Sequence, residues 1–106
     1  MSLSLHNIRF TDSKELSVEL EFIFACNKVE GNELIKLSLE NTELVQKFRS
    51  CATRLLRAAK KDGVIRLFVF EDELSQEKTE CVYLLNKYPS LTEGSKEDPG
   101  VIYIKL

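Results

Sequence analysis

Residues 16–26, Leu-Ser-Val-Glu-Leu-Glu-Phe-Ile-Phe-Ala-Cys, are the stretch whose reading decides the fold. Taken at a period of two, Leu16, Val18, Leu20, Phe22, Phe24 and Cys26 share one face, while Ser17, Glu19 and Glu21 share the other. That is the pattern of a half-buried strand. Ile23 turns the second face apolar, so the far end of such a strand is covered on both sides. Residues 27–33 read as a turn. Residues 34–40 alternate again, with Ile35, Leu37 and Leu39 inward and Lys36, Ser38 and Glu40 outward. The two runs then form a hairpin. Ahead of them, residues 7–10 read as a short first strand with Ile8 and Phe10 inward. The apolar phase slips between Leu5 and Ile8, so Leu3 and Leu5 join that face only through a bulge.

Residues 41–63 have helical periodicity. Placed at 100° per residue, Leu44, Val45, Phe48, Cys51, Ala52, Leu55, Leu56, Ala58 and Ala59 fill one half of the wheel. Gln46, Lys47, Arg49, Ser50, Thr53, Arg54, Arg57, Lys60 and Lys61 fill the other, with no acid among them. Asn41 suits an N-cap, Glu43 the first turn, Lys60 and Lys61 the last turn, and Gly63 the left-handed stop. An apolar half this wide packs on a sheet.

Residues 64–70, Val-Ile-Arg-Leu-Phe-Val-Phe, are apolar on both faces except at Arg66, the pattern of a central strand. Residues 71–80 carry five acids and one lysine. A second helix follows, with Ser75 as its cap, Cys81, Val82, Leu85 and Tyr88 as its stripe, and Pro89 as its end. A polar segment with a turn at Pro99 and Gly100 leads to a last strand over residues 101–106. The predicted order is β-β-β-α-β-α-β, an α+β or α/β domain with a mixed sheet of about five strands, two helices and right-handed crossovers. This order of elements resembles the ribonuclease H-like topology. A β-grasp is the alternative, and a small OB-like barrel a third arrangement.

With 106 residues, 43% apolar and 30% charged, the chain reads as a single globular domain over 1–106. No apolar run approaches the ~18–20 residues of a membrane span. The first residues lack the charged and apolar regions of a secretory leader. Cys26, Cys51 and Cys81 are odd in number, too widely spaced for a zinc site, and each on an apolar face, which reads as reduced thiols in a cytoplasmic or nuclear protein.

Catalytic chemistry finds no foothold. His6 is the only histidine and sits where the apolar phase breaks. Gly31, Gly63, Gly94 and Gly100 stand apart, so no phosphate loop forms. Asp72 could supply the acid at the end of a central strand and Glu43 at best approximates a helix contribution, but residues 7–10 offer no acid and Asp12 falls in a turn, so a two-metal centre lacks ligands. The expectation is a non-enzymatic domain with no catalytic residue, metal or cofactor.

The net charge of −2 is uneven. Residues 41–62 hold Lys47, Arg49, Arg54, Arg57, Lys60 and Lys61 against Glu43 and Asp62, a balance of +4 that leaves −6 elsewhere. These six side chains form the expected binding face. The resulting expectation is a protein–protein interaction domain, a subunit or adaptor of an intracellular assembly, docking through this helix face, a sheet edge, or both. A nucleic-acid-associated protein using the same face is the alternative, opposed by the acidic balance and by the absence of aromatics among the basic residues. A solvated helix back also accounts for the pattern. A homo-oligomer is compatible with the sequence, and a membrane partner is not expected.

Overall fold

The computed structural model describes residues 3–93 and 95–106. Met1 and Ser2, part of the start read above as leader-free, and Gly94, one of the four separated glycines, lie outside the described residues. The described chain runs β1 (Leu3–Ile8), α1 (Ser13–Glu30), β2 (Leu34–Leu39), α2 (Val45–Lys61), β3 (Leu67–Phe70), α3 (Thr79–Lys87) and β4 (Val101–Lys105). Short 3-10 turns precede α2 and follow β3 and α3. The four strands make one mixed sheet in the order β1-β2-β4-β3. β1 and β2 are parallel, and β4 runs antiparallel to both β2 and β3.

The α+β class and the mixed sheet agree with the sequence reading, but the element order does not. Residues 16–26, predicted as a strand paired with residues 34–40, lie within α1. Asp12 caps this helix by accepting a hydrogen bond from the Glu15 N–H at 2.8 Å, and Gly31, at φ 75°, closes it in the left-handed conformation. Its buried residues are Leu16, Leu20, Ile23, Phe24 and Asn27, a helical spacing. The strand reading failed because the opposite side of α1 carries Val18, Phe22 and Val29, all exposed. A helix apolar on two opposite sides has little amphipathic signal, and its residues alternate as well at a period of two as at 3.6. The described residues therefore form three helices and four strands, not two and about five. The ribonuclease H-like order, the β-grasp and the barrel all give way to β-α-β-α-β-α-β.

Three layers result. α1 and α2 cover one face of the sheet, over a core of Ile8, Phe10, Ile35, Leu37, Leu39, Phe48, Ala52, Leu56, Phe70, Ile102 and Ile104. α3 covers the other, over Leu34, Leu67, Val69, Cys81, Leu84, Tyr88, Val101 and Tyr103. β2 and β4 are the central strands. Residues 64–70 were expected to be central, yet only Leu67–Phe70 form a strand, and that strand is a border of the sheet. Phe68 and Phe70 face α2 while Leu67 and Val69 face α3. An apolar run on both faces thus reports helices above and below the strand, not strands on both sides.

β1 pairs regularly from Leu3 with Leu34 to Ile8 with Leu39, so no bulge is needed, and Leu5 is solvent-exposed. Asn41 makes no cap hydrogen bond. Its amide instead brackets Phe10, accepting from the Phe10 N–H at 2.8 Å and donating to the Phe10 carbonyl at 2.7 Å, which ties the end of β1 to the approach to α2. α2 begins at Val45 after a 3-10 turn. Ser75 does not cap α3, which begins at Thr79, and its buried stripe is Cys81 and Leu84 with Tyr88 just beyond, while Val82 is exposed. Leu55 is only half-buried; Phe48, Ala52 and Leu56 are the residues of α2 that reach the core. The three cysteines are free thiols, with Cys81 buried and the others half-buried.

Candidate nucleic-acid or peptide groove along the border strand

The six basic residues of α2 do not act as one face. Arg49, Arg57 and Lys60, together with Thr53, line a groove of about 330 Å³. Phe68, Val69 and Phe70 of β3 form its floor, and Glu73, Lys78, Glu80 and Cys81 its far wall. Residues from both faces of β3 meet the same groove, which happens only along a free strand border. In an antiparallel pair alternate residues direct both N–H and C=O to their neighbour, so half of the backbone polar groups of β3 point away from β4. Lys47, Arg54 and Lys61 recur every seven residues and occupy the outer back of α2. Arg54 reaches sideways to donate a short hydrogen bond to Ser13 Oγ at the start of α1.

Within the groove wall the charges differ in availability. Arg49 is held three ways: to Asp72 at 3.1 Å, to the Pro99 carbonyl at 2.8 Å, and over the Phe70 ring at 4.0 Å from its centroid. It is a structural residue. Asp72, considered above as a metal ligand, is its counter-ion. Lys60 pairs with Glu80 at 3.3 Å and Lys78 with Glu73 at 3.1 Å. Both pairs are partly exposed, so each contributes little and yields readily to a competing ion. The Glu80 carboxyl is held below its usual range by its own backbone N–H and by Lys60. Arg57 has no ion-pair partner among the described residues. Burial pushes the Cys81 thiol up, with Glu73 adding to the effect, and its Sγ–H donates to the Glu73 carbonyl, so this thiol is a weak nucleophile.

Two polar clusters lie elsewhere. Asn27 donates to the Ile23 carbonyl and to His6 Nε2 and accepts from Asn32, and His6 also meets Ser4 Oγ at 2.8 Å. His6 is thereby engaged in joining β1 to α1. The second cluster was missed in the sequence, where Glu71 counts as one more acid of a charged run. Glu71 is 2% exposed. One carboxylate oxygen accepts from the Lys96 and Asp98 N–H groups, the other from Tyr103 OH, and Lys36 lies 3.9 Å away. Burial and the neighbouring carboxylate push the Tyr103 hydroxyl strongly up. The signal was present: Leu67, Val69 and Glu71 continue the period of two toward α3. No grouping of three or more histidine, cysteine or acidic side chains suited to a metal occurs among the described residues, and no helix among them is long and apolar enough to cross a membrane. Comparison with protein-family models, with curated proteins and with solved structures found no match.

Proposed function

We propose that this domain is a non-enzymatic protein-interaction module, a subunit or adaptor, that receives an extended acidic segment of a partner protein along the free border of β3. The observation that carries the reading is the groove itself, open to both faces of a border strand and walled by cations. A strand of four residues spans about 13 Å, room for four or five residues of an added strand. Main-chain hydrogen bonds to β3 would supply affinity, and acidic side chains would meet Arg57 and, by displacing Glu80, Lys60. The wall holds Arg49, Arg57, Lys60 and Lys78 against Glu73 and Glu80, which favours an acidic segment. This narrows the expected basic face to one side of α2 and joins it to the strand border.

The test uses fluorescently labelled extended peptides with alternating valine and aspartate, their lysine counterparts, and single-stranded DNA. The acidic peptide is expected to bind, and Arg57→Glu to weaken it at least tenfold, roughly the loss for an engaged interface charge. Arg54→Glu, on the outer back, is expected to leave binding unchanged. Equal binding of acidic and basic peptides, or indifference to Arg57→Glu, overturns the reading. Tight, steeply salt-dependent binding of DNA alone replaces it with a nucleic-acid interface.

A further inference from the structure

We propose that α1 docks antiparallel against α1 of a second copy of this chain. Val18, Phe22 and Val29 are 60%, 69% and 89% exposed, and Ala25 between them is exposed too. Their spacing is four, three and four residues, and on a helix they fall within about 60° of arc, opposite the buried side. A stripe with this 3.5-residue repeat is the seam by which two helices pack side by side. Single exposed apolar residues are ordinary, but four in register along most of an 18-residue helix are not.

The borders of the stripe say what covers it. Lys14, Glu21 and Lys28 repeat every seven residues along one side, and Glu15 and Glu19 lie along the other. About a two-fold axis between residues 23 and 24, Val18 meets Val29 of the second copy and Phe22 meets Ala25, large opposite small at both central positions. The same axis brings Glu21 beside Lys28 of the other copy, and does so twice by symmetry. A parallel pairing stacks Phe22 on Phe22 and Ala25 on Ala25, one position crowded and the next hollow, and sets Glu21 against Cys26. The antiparallel arrangement also opposes the two helix dipoles. A seam of one helix is small for an interface, so the dimer is expected to be in micromolar exchange.

Sedimentation velocity of the full chain over roughly 5–500 µM is expected to show a monomer–dimer equilibrium. Phe22→Lys, at an exposed position, is expected to keep the melting temperature of the monomer and abolish the dimer. Glu21→Lys and Lys28→Glu are each expected to weaken association at least tenfold, and the double variant to restore it. In a Cys26→Ser background, Val18→Cys and Val29→Cys together are expected to give a disulfide-linked dimer, and neither alone to do so. A parent chain monomeric throughout that range, a dimer indifferent to Phe22→Lys, or efficient cross-linking of the single cysteine variants overturns the proposal.

Discussion

Replacing Glu71 should reveal how much of the fold hangs on one buried carboxylate. The side chain follows β3 directly, accepts three hydrogen bonds at 3.1 Å and holds residues 96–98 against the sheet beside β4. Glu71→Ala strips two backbone N–H groups and the Tyr103 hydroxyl of their acceptor and opens a small cavity. A buried donor left unpaired costs about 1–3 kcal/mol, and breaking a buried charged pair about 3–5 kcal/mol. Because Lys36 stays partly in water and the amides of residues 96 and 98 can be rehydrated, a net loss of about 3–5 kcal/mol is expected for the whole cluster. For a domain of this size each kcal/mol moves the melting temperature by about 4–8 °C, so a fall of more than about 12 °C should be seen by circular dichroism. Glu71→Gln keeps the shape and one acceptor, and should lose about 1–2 kcal/mol. A second readout separates this cause from general loosening. Glu71 helps hold the Tyr103 hydroxyl up, so in Glu71→Gln that tyrosine should ionise at lower pH than in the parent, followed by phenolate absorbance. If both variants melt within about 2 °C of the parent, the carboxylate is not the organiser described here.

Other outcomes follow from burial and titration. Leu56 is fully buried under the sheet, so Leu56→Ala should cost about 2–5 kcal/mol in denaturant unfolding, whereas half-buried Leu55 should cost clearly less; equal losses would contradict the facing of α2. Tyr88 is pushed up to about 12 by burial and by its hydrogen bond to Glu33. The folded state thus holds this proton more tightly than the unfolded chain, so the contribution is complete below about pH 10 and is lost as pH rises toward 12. Tyr88→Phe should flatten the fall in denaturation midpoint across that window, and an unchanged slope would exclude the assignment.

Several elements were legible in the residues themselves. The alternation of residues 34–40 became β2, the one-sided apolar half of residues 41–63 became α2 closing near Gly63 at φ 76°, and Pro89 ended α3. In α2 one face is buried and the other wet, and in β2 the buried Ile35, Leu37 and Leu39 alternate with the only partly buried Lys36 and Ser38, so burial and local periodicity coincide. Where two faces are apolar that link breaks. Residues 16–26 carry one stripe for the core and a second for the outside, and their alternation at a period of two masks the helix that Asp12 and Gly31 delimit. The candidate site divides in the same way: six basic residues on one helix could be counted, but not sorted.

Sequence alone therefore determined the mixture of helices and strands around a mixed sheet and the basic character of α2, because these depend on composition and on neighbours a few residues apart. Tertiary structure alone decided that residues 67–70 border the sheet, that Arg57 and Lys60 face the groove while Lys47 and Lys61 face away, and that Glu71 is buried and satisfied. The physical reason is that a hydrophobic pattern records how many faces of an element leave water. It does not record whether a helix, a strand or another copy of the chain covers them.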